Sequence, residues 1–271
     1  MATLMKPHAH GTMATVDDTI ATRRDTIDAF VYRSKRRRSV GIRRLFLQRG
    51  RGAGAGAAVL AWFVRRKDLI ALDLYLLLIL RGRGARYGGH FVDVQSGTWT
   101  RALGREGASA SQLLSRAIRR LEGHRLVKRV KSRKGVRIEL LKEDGSGAAY
   151  SPPTGGPKEP YFQLPLDYWR ADHYMTLSMP GKAMLLIALG EQPEFELPVV
   201  QAPSFYGISP ETAARGFDEL VRAGLARFEQ RVIKDPMAPL GKRSVKFWHL
   251  LPPYQREIAV DETPARVRRV K

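Results

Sequence analysis

The chain has 271 residues, with 47 Lys+Arg against 26 Asp+Glu, a formal charge of +21 that is far too basic for a routine metabolic enzyme surface. An apolar content of 44% is enough for a buried core, the length suggests two domains, and the absence of cysteine excludes disulfides, thiolate nucleophiles and Cys-ligated metals. Apolar runs such as Leu74 to Leu80 fall well short of the roughly 18 residues that span a bilayer. The N-terminus shows no basic segment followed by an apolar core, so the expectation is a soluble, intracellular, cytoplasmic protein with no membrane partner. So much positive charge calls for an acidic partner.

Residues 1–56 show no sustained periodicity apart from a short helix expected near Asp25 to Tyr32, and are expected to form a largely disordered basic arm. Its nine Lys/Arg between Arg33 and Arg51, with no acid among them, include the run Lys35 to Arg38, which suits a minor-groove contact. From Ala57 the chain becomes apolar and helix-compatible over Ala57 to Val64 and Leu69 to Leu80, the two stretches being split by Arg65-Arg66-Lys67-Asp68. Trp99, Ala102 and Leu103 mark a short helix that Gly104 ends. Ser109 or Ser111 then caps a helix with Leu113, Leu114, Ala117, Ile118 and Leu121 on one face and Gln112, Ser115, Arg116, Arg119 and Arg120 off it. Two strands follow, Leu126 to Val130 and Val136 to Leu140, joined by a basic tip, Lys131 to Gly135.

Eight of the 17 residues from Asp144 to Pro160 are Gly or Pro, the strongest linker signal in the chain. Beyond it, Pro180 to Leu189 reads as a helix, Phe195 to Phe205 as a short element, and Ser209-Pro210-Glu211 as a capped helix start. At an offset of 99 residues, Arg116, Ile118, Leu121 and Leu126 coincide with Arg215, Phe217, Leu220 and Leu225, the pattern of an internal duplication. The expected domains are therefore 57–143 and 161–253, with the linker 144–160 between them and a tail at 254–271.

Helix, short helix, glycine turn, Ser-capped helix and hairpin, from Trp99 to Leu140, resemble a winged helix-turn-helix. Ser111 to Glu122 followed by Leu126 to Arg129 is similar to the recognition helix and first wing strand of MarR-like regulators. With Tyr206 to Leu225 as a second copy, the chain resembles tandem winged-helix proteins such as plasmid replication initiators. The expected fold class is mainly α with small β-hairpin wings (α+β). The resemblance implies double-stranded DNA binding, with the second helix of the turn in the major groove.

In that role Gln112, Ser115, Arg116 and Arg119 are the base-reading candidates, since Gln suits adenine and Arg suits guanine edges. Ser109, Ser111, Arg120, Arg125, Lys128, Arg129, Lys131, Arg133 and Lys134 are candidates for phosphate contact. In the second copy Arg119 and Arg120 become Asp218 and Glu219, and Gln112 becomes Glu211, so only Arg215, Lys242, Arg243 and Lys246 remain as secondary DNA or partner contacts. The four tryptophans read as core. The six histidines lie apart from carboxylates at metal-ligand spacing, no nucleotide-binding glycine loop is present, and no catalytic constellation can be assembled, so no enzyme, metal or cofactor is expected. The expected function is a sequence-specific transcriptional regulator. Alternatives are a replication initiator binding origin repeats, or a non-specific architectural or RNA-binding protein; the further partners expected are a second copy or the replication or transcription machinery.

Overall fold

A computed structural model describes residues 20–36, 38–49, 58–84, 90–132, 135–191 and 193–255. It is a mixed α/β structure with small antiparallel sheets. The first helix, α1 (Arg23–Ser34), starts at a reciprocal cap between Thr22 and Asp25 and buries Ile27, Phe30 and Val31, at i, i+3 and i+4 spacing. Strand β1 (Ser39–Arg43) follows and pairs antiparallel with β6 (Tyr161–Pro165), then a 3-10 turn over Arg44–Phe46 buries Phe46.

Helices α2 (Val59–Arg66) and α3 (Leu69–Arg81) come next, with Lys67 in the left-handed conformation between them. The Asp68 side chain caps α3, accepting from the Ala71 amide at 3.2 Å, and every residue from Ala71 to Leu80 is buried. The first unit is completed by β2 (Arg83–Gly84), β3 (His90–Val94), α4 (Ser96–Ala102), α5 (Ala110–Gly123) and the hairpin β4 (Val127–Ser132) and β5 (Gly135–Leu140), in the sheet order β2-β3-β5-β4. Short helices α6 (Asp167–Arg170) and α7 (His173–Thr176) lead to the second unit. This comprises α8 (Met179–Gly190), β7 (Glu194–Glu196), α9 (Ala202–Tyr206), α10 (Pro210–Arg222) and the hairpin β8 (Ala226–Lys234) and β9 (Lys242–Leu250), in the sheet order β7-β9-β8. Both units thus run helix, strand, short helix, helix, hairpin, and in both the last strand lies in the middle. The 99-residue offset holds for burial as well, since Ile118, Leu121 and Leu126 are buried in one unit and Phe217, Leu220 and Leu225 in the other.

The sequence expectation of a disordered arm over 1–56 is corrected for residues 20–49. α1 packs on α3 and α4, with the Phe30 ring 4.9 Å from that of Trp99. Part of the basic cluster there is committed to contacts within the molecule. Arg43 is 1% exposed and donates to Glu143 at 2.7 Å, Glu159 at 2.7 Å and Ser151 at 3.0 Å. Arg44 pairs with Glu191, and Arg49 donates to the Asp144 carbonyl at 2.9 Å. Arg37, Arg51, residues 1–19 and residues 52–56 lie outside the described residues.

The expected linker 144–160 is corrected by the same contacts, because it is held onto β1 through Arg43, and Tyr150 within it is buried. Its glycines serve turns: Gly145, Gly147, Gly155 and Gly156 all have positive φ. One continuous core runs from Ile27 to Tyr254, so the two units are not independently packed domains. The tail begins after Tyr254, not at it, because that ring is 1% exposed and its hydroxyl lies 2.6 Å from His173 Nδ1. Residues 256–271 lie outside the described residues.

The two units meet between α3 and α8. On α3, Asp73 is 7% exposed; on α8, Lys182 is fully buried and its ammonium donates to both Asp73 oxygens, at 2.6 and 2.7 Å. Gly216 of α10 lets that helix approach α8 closely, since a Cβ there would stand 2.4 Å from the Pro180 carbonyl oxygen. Among the described residues, no helix is long and apolar enough to cross a membrane.

Candidate nucleic-acid interface

Helix α5 buries Ala110, Leu114, Ala117, Ile118 and Leu121, while Leu113 is only half-buried. Turning those residues inward leaves Gln112, Arg116 and Arg119 exposed and Ser115 half-exposed, at i, i+3, i+4 and i+7, so all four base-reading candidates share one stripe. Arg116 and Arg119 have no ion pair or hydrogen bond among the described residues. At the helix start, the Ala110 amide donates to the Gly107 carbonyl at 3.1 Å, while Ser109 in the cap position makes no side-chain cap bond to the amides that follow. The Ser111 hydroxyl instead meets that of Ser96 at 2.7 Å and ties the first turn of α5 to the start of α4.

The phosphate candidates divide into committed and free groups. Arg120 is bound through its guanidinium to Asp68, the cap of α3, and so is committed to the fold rather than to a phosphate. Arg129 is paired with Glu122 across the helix–strand turn at 2.5 Å, which also removes it. Lys128 and Lys131 on β4, and Arg125 in the turn, are exposed and make no such pair among the described residues. Arg133 and Lys134, at the hairpin tip, lie outside the described residues.

The second unit repeats one of these contacts with the charge changed. Glu219 stands where Arg120 does, and it accepts from the Ser178 amide at 2.7 Å and from the Ser178 hydroxyl at the start of α8. In both units this helix position therefore clamps the cap of the first helix: Arg120 on Asp68, Glu219 on Ser178. The acid that seemed set to repel DNA at Glu219 is thus a structural group turned inward. Asp218 and Glu211 remain exposed on α10, beside exposed Arg215. Of the other secondary candidates, Arg243 is paired with Glu196 and Asp235, the Lys246 ammonium sits 4.5 Å from the Phe228 ring centroid, and Lys242 is exposed.

A groove of about 560 Å³ beside the α5–β4 turn was not singled out by sequence reasoning. Arg49, Arg65, Arg66 and Arg125 line it around Trp62, whose ring centroid lies 3.5 Å from that of His124 with the two planes tilted at 45°. Burial and the neighbouring Arg66 push His124 below its ordinary value, which favours the neutral ring. The signal in the sequence was Arg65-Arg66-Lys67, legible as a helix break but not as one wall of a basic groove.

Arg125 holds φ at 54°, whereas the equivalent turn of the second unit has Gly224 at φ 68°. An Arg in the left-handed region costs roughly 1 kcal/mol where Gly costs little. Arg125→Gly is therefore expected to leave the melting temperature unchanged or slightly raised, and a clear loss would show that the Arg125 side chain serves the fold.

No family model matches the chain, and no curated protein or solved structure matches it. Among the described residues there is no group of three or more His, Asp or Glu placed to hold a metal ion.

Proposed function

We propose that the protein is a sequence-specific double-stranded DNA-binding protein with two winged helix-turn-helix units, the first of which reads DNA, and that it acts as a transcriptional regulator. The observation that carries this is the exposed stripe Gln112, Ser115, Arg116 and Arg119 on α5, with both arginines uncommitted and with free Lys128 and Lys131 on the adjoining hairpin. Helix α5 is the reading helix, β4 and β5 form the wing, and the Ser111 and Gln112 amides, which take no bond from the Ser109 side chain, suit a phosphate. The second unit has Glu211 and Asp218 at the positions of Gln112 and Arg119, so its α10 is a poor match for DNA.

A replication initiator is the second reading. It draws on the tandem repetition of the helix–hairpin unit at a 99-residue offset, with Ile118, Leu121 and Leu126 buried in one copy and Phe217, Leu220 and Leu225 in the other.

Selection of bound duplexes from a random-sequence pool, at near-physiological salt, tests the proposal. A recovered motif supports specific readout, and its occurrence at single promoters or in direct repeats separates the two readings. Failure to recover any motif, together with steep salt dependence, leaves only phosphate-dominated architectural binding. On the recovered site, Arg116→Ala and Arg119→Ala are each expected to cost about 1–3 kcal/mol and to relax preference at one base position. Lys128→Ala and Lys131→Ala are expected to weaken all sequences alike and to lower the salt slope by about one each. Equal loss on specific and random duplexes for Arg116→Ala and Arg119→Ala would remove them from base reading.

A further inference from the structure

The outer strand of the second hairpin carries alternating charges along an edge with no strand beside it among the described residues. In the sheet order β7-β9-β8, strand β8 (Ala226–Lys234) lies at an edge, with nine residues paired to β9 on one side and no strand on the other among the described residues. An uncovered edge of this length is a template for a further strand. It also carries apolar side chains that the monomer leaves in solvent: Phe228 is 40% exposed and Val232 is 67% exposed.

Placing a second β8 antiparallel about a two-fold axis at Gln230 gives the following register. Glu229 stands opposite Arg231 of the second copy, and Arg231 opposite its Glu229. On the other face Phe228 meets Val232, Val232 meets Phe228, and Gln230 meets Gln230. Every charge at the centre thus faces its opposite, and both exposed apolar side chains face each other, the cross-strand pairs that stabilise an antiparallel ladder. A shift of the axis to residue 229 sets Arg227 against Arg231, and a shift to 231 sets Glu229 against Ile233; an axis at Phe228 also opposes Arg227 to Glu229 but overlaps only residues 226–230, whereas the axis at Gln230 pairs the whole of β8. Within the chain, Glu229 already accepts from Arg227 and Arg231 at 2.7 Å, and Arg231 also holds Glu194, which fixes the alternating charges on the sheet face.

The equivalent edge in the first unit lacks this property. Strand β4 reads Val127, Lys128, Arg129, Val130, Lys131, Ser132 and has no acid, so self-pairing about Val130 would oppose Arg129 to Lys131. The charged residues of β4 are all cations, whereas β8 is self-complementary.

We infer that the protein forms a two-fold symmetric dimer by antiparallel addition of β8 to β8 of a second copy, centred on Gln230. The interface is isologous, each strand presenting the same residues to the other. It does not rest on the DNA-binding reading and would hold for a chain that never touches DNA. If that reading also holds, the dimer carries two α5 helices related by a two-fold axis, which matches inverted half-sites.

The test is the oligomeric state of the full chain by sedimentation velocity across a concentration series, without DNA. The wild type is expected to dimerise. Glu229→Arg makes the strand centre all basic, Arg231→Glu makes it all acidic, and each alone is expected to weaken self-association at least about tenfold. Mixing the two variants restores both charge pairs, so the mixture is expected to dimerise where neither component does. Melting curves check that each variant is folded. If either variant is unfolded, Val232→Lys replaces it, because its side chain is exposed in the monomer and buried only in the pairing; it too is expected to weaken self-association at least about tenfold. A monomeric wild type overturns the inference. So does a dimer that persists in the single variants and in Val232→Lys, or a mixture that fails to recover association when its components are folded.

Discussion

Replacing Lys182 by Met is expected to destabilise the fold by about 3–5 kcal/mol in urea-induced unfolding, because it leaves Asp73 buried beside α8 with no partner for its charge. Replacing both, Asp73→Leu with Lys182→Met, is expected to return most of that loss or to exceed wild type, since the desolvation cost of two ions disappears with the pair. A single-variant loss below about 1 kcal/mol, or a double variant no better than the single, would show that the pair does not hold the units together. The pH dependence has a definite sign. Burial pushes the Asp73 carboxyl from 3.8 up to about 6 despite Lys182, and pushes the Lys182 ammonium down. Between these two values the folded chain keeps a proton on Asp73 that the unfolded chain has released. The contribution is therefore full below about pH 4 and declines as the pH rises to about 6. The double variant lacks this term, so wild-type stability is expected to fall relative to it across that window, and a flat difference would contradict the assignment.

Replacing Arg43 by Met is expected to have an effect of similar size, about 3–5 kcal/mol, by stranding the fully buried Glu143. The guanidinium joins Ser151 and Glu159 of the Gly/Pro-rich stretch, and Glu143 just before it, to β1. Arg43→Lys is expected to recover little, because one ammonium cannot reproduce a fork that reaches Glu143 and Glu159 in different directions. The loss is also localised: limited proteolysis of Arg43→Met is expected to cut first between residues 144 and 160. The Arg43 hydrogen bond holds the Glu159 carboxyl down at about 2, so that side of the network is lost only as the pH falls from the ordinary carboxylate range toward 2. Cleavage that begins elsewhere, or no change in stability, would mean that the stretch is held by its own turns.

The two buried networks also explain where sequence reasoning and the structure part. The helix α5 was legible because Leu114, Ala117, Ile118 and Leu121 repeat at helical spacing, and the same periodicity put Gln112, Arg116 and Arg119 on the exposed side. The hairpin was legible from Val136, Ile138 and Leu140 alternating with Arg137 and Glu139. Strands β1, β6 and β7 were not, being of five, five and three residues and taking their pairing from partners far away in sequence. Helix α1 showed only a trace, because its apolar stripe is short and is flanked by arginines that read as free charge.

What the sequence determined by itself is the net basic charge, the helix and hairpin of each unit, the 99-residue correspondence between them, and which face of α5 is polar, since all of these follow from local periodicity. Only the tertiary structure decided which cations are free. Arg120, Arg129 and Arg43 look like Arg116 and Arg119 in the sequence, yet Asp68, Glu122 and the pair Glu143 and Glu159 claim them. The reason is that an ion pair depends on where a carboxylate arrives in space, at separations of 52 residues for Arg120 and 100 for Arg43, and composition records only that both charges exist.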